Sequence, residues 1–226
     1  MLEELEKTFI KHRNAENAEG MYNYMRQQFD FYGIKMTPRR KLVKDFFSST
    51  KPLDHDELLE MARELYEKDQ REFHHTAIEM LLKHLKPKDL KKEDIEFFEW
   101  LICTHSWWDT VDVIAPRLVR DYFLTYPDQM NEIVDRWLSS ENKWLVRSAI
   151  LFQLKMKEDV DLPYLFEIIL QATGTQEFFI NKAIGWILRE HGKRRPEEIK
   201  DFVERNEHLL HPLAIREGTR LLNKDQ

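Results

Sequence analysis

The chain has 226 residues, of which 42% are apolar and 34% charged, with a formal net charge of −6. That suits one large soluble domain or a short helical array. A single cysteine, Cys103, excludes an intrachain disulfide and fits a reducing, cytoplasmic setting. No apolar stretch approaches the roughly 20 residues of a spanning helix, and the acidic start Met1-Leu2-Glu3-Glu4 does not read as a secretory signal, so no membrane partner is expected.

Six glycines and few β-branched runs favour helix over sheet. Leu2, Leu5, Phe9 and Ile10 form a first apolar stripe at helical spacing. Met21, Tyr24, Met25 and Phe29 form a second, closed by Gly33. Thr37-Pro38 reads as an N-cap followed by proline at the first helical position, opening a helix that carries Leu42, Val43, Phe46 and Phe47. Helices follow over 54–67 and 73–85, the latter meeting Pro87. In the second half, 93–103 is a strongly apolar helix with Cys103 in its core. Ser106 is placed to cap a helix through Ile114, and Pro116 breaks or restarts that helix before 118–124. Further helices are expected over 129–138, 143–156 (capped by Asn142), 162–172, 177–190 (with a glycine stop at Gly192), 197–209 and 212–222.

About thirteen helices in pairs, at a period of roughly 35 to 45 residues, predict an all-α fold. The architecture expected is an α-α superhelix of the HEAT-like or armadillo-like kind, a single domain over 1–226. One echo supports the repeat: Trp144-x-x-Arg147 recurs as Trp186-x-x-Arg189, which stacked repeats would set side by side on one surface. A net negative charge argues against nucleic acid, which wants clustered Lys and Arg. An array can nonetheless segregate its charge, with an acidic outer surface and a basic concave groove. A helical-repeat scaffold for protein partners would also fit the charge of −6.

Trp108 and Asp112 lie four apart and share a helical face. An aromatic plane beside a carboxylate suits a cation or a cationic transition state. On spacing alone, a core tryptophan and a solvated aspartate are the more usual reading. The Trp-x-x-Arg pairs are open between phosphate contact and a surface charge lying over an apolar ring. Basic clusters stand at Arg39-Arg40-Lys41 with Lys44, among the lysines of 83–92, and at Lys193-Arg194-Arg195; a solvated charged face is the plain account of each. His74, His75 and His105 show no metal-ligand spacing, and there is no phosphate-binding glycine loop and no Gly-x-Ser-x-Gly. Neither metal nor cofactor is expected.

The blocks Thr104-His105-Ser106-Trp107-Trp108-Asp109-Thr110-Val111-Asp112, Trp144-Leu145-Val146-Arg147-Ser148-Ala149 and Asn181-Lys182-Ala183-Ile184-Gly185-Trp186-Ile187-Leu188-Arg189-Glu190 carry a resemblance. With Tyr24-Met25-Arg26 and Gly33-Ile34 before Arg39-Arg40, in this order over nearly the whole chain, they resemble the AlkD family of bacterial DNA alkylation repair glycosylases. The resemblance implies a curved solenoid holding duplex DNA in its concave groove, and excision of cationic N3- and N7-alkylated purines in base excision repair. It implies Asp112 as catalytic aspartate, Trp108 and Trp186 as aromatic walls, and Arg147, Arg189, Tyr24, Arg39 and Arg40 as DNA-binding residues of a monomer. The segment Lys35-Met36-Thr37-Pro38 departs from the family pattern after Gly-Ile. The alternative is a non-catalytic DNA-binding member recognising distorted or branched DNA.

Overall fold

The computed structural model describes residues 2–47 and 52–222; residues 1, 48–51 and 223–226 of the expected domain lie outside it. The fold is all-α, as the periodicity predicts. The described residues form fourteen α-helices and no strand, apart from one isolated bridge pairing Asp30 with Gln70. They group into two compact units, Met1–Asp89 and Leu90–Gln226.

The first unit holds α1 (Leu2–Lys11), α2 (Ala15–Tyr24), α3 (Met36–Phe47), α4 (His55–Tyr66) and α5 (Arg71–His84). Leu2, Leu5 and Phe9 bury one face of α1, as an i, i+3, i+7 pattern should. Asn14 caps α2 through its side chain, 2.8 Å from the Asn17 amide. This helix stops at Tyr24, short of the apolar stripe, because Arg26 and Gln27 take left-handed φ values of 54° and 63°. Phe29 instead lies beneath the Arg71 guanidinium, 3.7 Å from its ring centroid. Gly33, at φ 83°, presses on the α2 entry so closely that a Cβ there would sit 2.1 Å from the Asn14 carbonyl oxygen. Thr37 does not cap α3. The helix begins at Met36, with the Lys35 carbonyl accepting from the Arg39 amide at 3.0 Å, and Pro38 sits in the first turn, where its missing N–H costs nothing. Asp54 and Glu57 close a capping box on α4. From α5, the buried Glu72 carboxylate accepts the Tyr32, Gly33 and Ile34 amides at 3.2, 2.9 and 3.0 Å and so ties the loop before α3 to the core.

The second unit holds α6 (Asp94–Cys103), α7 (Trp108–Ile114), α8 (Arg120–Thr125), α9 (Pro127–Leu138), α10 (Lys143–Leu151), α11 (Leu162–Gln171), α12 (Phe178–Gly192), α13 (Pro196–Arg205) and α14 (Pro212–Gly218). Helices α7, α10, α12 and α14 pack in succession as one row, and α9, α11 and α13 back onto α10 and α12 as a second. Pro116 does not break the chain between α7 and α8. It lies in a π-helical segment, Ala115–Val119, whose wider turn accommodates the absent N–H and keeps the run continuous. Ser106 does not cap α7: its hydroxyl donates to the Ile102 carbonyl at 2.7 Å, and Trp107 stands at the cap without a side-chain bond. A 3₁₀ turn, Phe152–Lys155, extends α10. α12 ends at Gly192, as expected, but the glycine does not take a left-handed φ, so it closes the helix without the αL cap. Gly185 has a different use: a Cβ there would lie 2.5 Å from Glu217 Cβ, so glycine permits the close approach of α12 and α14. Cys103 is exposed rather than core, accepting from Asn142 Nδ2 at 3.3 Å.

Candidate functional site

Asp112 lies one turn beyond Trp108 on α7, so the two share a face. From α10, Arg147 grips the carboxylate with both edges of its fork. Nε donates to Oδ1 at 2.7 Å and Nη2 to Oδ2 at 2.9 Å. Its remaining Nη1 donates to the Phe179 carbonyl at the start of α12. One guanidinium therefore joins three helices of the row. The Arg147 side chain is 5% exposed and that of Asp112 15%. Burial pushes the Asp112 carboxyl above its ordinary range; Arg147 opposes that shift and the neighbouring Asp109 charge adds to it. Each carboxylate oxygen keeps a second acceptor direction, so the pair can still hold a water.

Below this pair lies an aromatic cluster. Trp107 sits 5.6 Å from Trp144 and 5.3 Å from Phe179 between ring centroids, and Trp144 sits 4.9 Å from Phe179. Trp144 is buried and packs between Trp107 and Phe179, so it helps fix the α7–α10–α12 spacing. Trp186, partly exposed, lines a cavity of about 350 Å³ in the same unit together with Arg120, Lys155 and Arg194. A larger concavity of about 610 Å³ surrounds the N-terminal end of α10 and contains Trp144 but none of Trp108, Asp112 and Trp186.

The expected shared surface of the two Trp-x-x-Arg pairs does not form. Both arginines turn to a carboxylate on an adjacent helix of the row, Arg147 back to Asp112 on α7 and Arg189 forward to Glu217 on α14. Arg189 Nη1 donates to Glu217 on α14 twice, at 3.0 Å to its carbonyl and 2.8 Å to Oε2, and Lys182 Nζ reaches the same oxygen at 3.2 Å. In the first unit, Arg39 is buried and donates to Thr76 Oγ1 at 3.1 Å and Glu79 Oε1 at 3.0 Å. That leaves Arg40, also on Glu79 but 55% exposed, as the solvent-facing member of the pair. Tyr24, at the end of α2, is 70% exposed. Among the described residues no group of three or more His, Cys, Asp or Glu is arranged to hold a metal ion, and no helix is long and apolar enough to cross a membrane. The sequence reading missed Glu217 as partner of Arg189 and the basic residues Arg117, Arg120, Lys155 and Lys157. The Arg117-x-x-Arg120 spacing was the available signal.

The family described as DNA alkylation repair enzyme matches the chain over residues 5–222, across both units. Among solved structures, one described as a predicted DNA alkylation repair enzyme from Enterococcus faecalis shares 31% identity and superposes with a TM-score of 0.83, covering 94% of this chain and 97% of that one. Comparison with curated proteins gives no match.

Proposed function

The chain belongs to the DNA alkylation repair enzyme family, and we propose that within it this protein is a cytoplasmic DNA glycosylase that excises N3- and N7-alkylated purines from duplex DNA. The observation that carries the reading is the Asp112 carboxylate, largely withdrawn from water yet still open, oriented by Arg147 and one turn from Trp108.

An alkylated purine is already cationic, so it departs with the bonding electron pair as a neutral base and needs no strong general acid. Cleavage builds oxocarbenium character on the deoxyribose. Asp112 stabilises that charge and accepts a hydrogen bond from the water that attacks the anomeric carbon; the water's proton passes to the carboxylate or to solvent. Arg147 is a positioning residue, since its guanidinium holds the carboxylate rather than the substrate. The face of Trp108 offers negative potential to that cationic centre, worth about 0.5 to 2 kcal/mol; Trp186 lines the neighbouring cavity with Arg120 and Lys155 and is proposed as a wall of the DNA cleft.

The test is release of 7-methylguanine or 3-methyladenine from a methylated duplex by the purified protein, alongside Asp112→Asn and Asp112→Ala. Release by the wild type and its near loss in both variants is expected. Unchanged release in both removes Asp112 from the mechanism. Salt-sensitive duplex binding without release establishes the non-catalytic DNA-binding reading instead.

A further inference from the structure

Three helical runs of the second unit carry side chains at two matching levels. At the first, Arg147 joins Asp112 to Phe179. Eight residues beyond Asp112 stands Arg120, eight beyond Arg147 stands Lys155, and seven beyond Phe179 stands Trp186. Those three line one cavity of about 350 Å³. Two levels in common make the runs parallel, and an offset of seven or eight residues is about two turns, on the order of 12 Å. The cavity therefore continues the site along the helix axes.

Its charge is one-sided. Arg120, Lys155, Lys157 and Arg194 line it against one carboxylate, Glu190, which already receives Lys193. Arg120 is paired with Asp121 at 2.6 Å and Arg194 with Glu158 at 2.9 Å. Lys155, Lys157 and the adjacent Arg117 have no carboxylate partner among the described residues. Burial, then Arg117 and Arg120, hold the Lys155 ammonium below its ordinary range. Crowding like charges opposes folding unless an anion completes the set. A chain of net charge −6 has acids enough to neutralise them, yet none is paired with Lys155, Lys157 or Arg117 among the described residues. The volume would hold about a dozen waters, enough for one phosphodiester group, and Trp186 supplies an apolar wall.

We propose that this cavity is a phosphate subsite. It takes one backbone phosphate of duplex DNA about two helical turns from the reacting sugar, with Lys155, Lys157 and Arg120 as cations and Trp186 as its apolar wall. The proposal rests on the DNA reading above and adds the residues that set the register of the strand.

The test reads binding rather than base release. Affinity for an unmethylated duplex is measured against salt, from about 50 to 200 mM, for the wild type and Lys155→Gln. The slope of log affinity against log salt falls by about one in the variant, and affinity drops about three- to tenfold. A methylphosphonate scan, which removes one phosphate charge at a time, weakens wild-type binding at one or two adjacent positions and has no further effect there in Lys155→Gln. An equal slope in both proteins, or additive losses at every position, overturns the proposal. Lys157→Gln serves as second variant if Lys155→Gln does not fold, and a flat scan of the wild type overturns the proposal by itself. Localised phosphate dependence without base release would sink the glycosylase reading and leave the subsite standing; base release with a flat scan would do the reverse.

Discussion

Asp112 and Glu217 each receive an arginine from the same Trp-x-x-Arg pattern, Arg147 and Arg189, yet they titrate in opposite directions. The Asp112 carboxyl is raised because burial outweighs its single cation and Asp109 adds like charge. At Glu217 burial also pushes upward, but hydrogen bonds from Lys182 and Arg189 together hold the carboxyl below its ordinary range. One arginine is not enough to settle a carboxylate that has lost most of its water, whereas two cations make a plain structural tie. The pattern is a folding device at both places, pinning one helix of the row to the next. Only at Asp112 does it leave a destabilised anion beside an aromatic face, the arrangement expected of a working group rather than a strut.

The contrast breaks most readily on activity. Asp112→Asn is expected to slow single-turnover base release by about 10²- to 10³-fold, while Glu217→Gln stays within about threefold of wild type. Equal losses would erase the distinction. Stability separates the pairs next. Arg147→Ala leaves an almost buried carboxylate alone and costs about 3 to 5 kcal/mol in urea unfolding. Arg189→Ala costs about 1 to 2 kcal/mol, because Lys182 remains on Glu217. Arg147→Lys restores little, since an ammonium cannot reproduce the two-edged grip.

Titration sharpens the comparison further. Asp112 must be ionised to act, so the acid limb of base release lies above the ordinary aspartate value of 3.8, and Arg147→Gln moves it higher. The linkage signs differ as well. Asp112 keeps its proton to higher pH in the fold than in the unfolded chain, so its contribution is present at low pH and is lost as pH rises through the folded pKa. Glu217, with a depressed pKa, contributes above the ordinary glutamate value and loses that contribution as pH falls through the folded pKa. Unfolding of Asp112→Asn and Glu217→Gln across acid pH should show opposite deviations from wild type. The smallest effect belongs to His191, whose ring Nε2 lies 3.2 Å from the Gln153 carbonyl and whose pKa burial depresses. Stability drawn from it is lost as pH falls through the ordinary value of 6.5, and His191→Gln should flatten that part of the profile.

Much of this was legible in the chain. The helices came from apolar spacing, and Trp108 with Asp112 shared a face on spacing alone. Failures cluster where a polar group chose between local and distant partners. Thr37 and Ser106 look like caps, but the first falls inside α3 and the second bonds backward to Ile102. Pro116 looks like a break, yet a π turn absorbs it. Arg39, Arg147 and Arg189 look like surface cations, yet Glu79, Asp112 and Glu217, 28 to 40 residues away, take them.

By itself the sequence determined that the chain is helical, roughly where each helix runs, and that one carboxylate shares a face with a tryptophan. These depend on neighbours within a turn, where side-chain direction follows from the 3.6-residue period. Tertiary structure alone decided which arginines face solvent, which of two similar ion pairs leaves its carboxylate unsettled, and that unpaired cations gather at Lys155. Those outcomes depend on desolvation and on charges brought together from distant parts of the chain, and no local pattern encodes either.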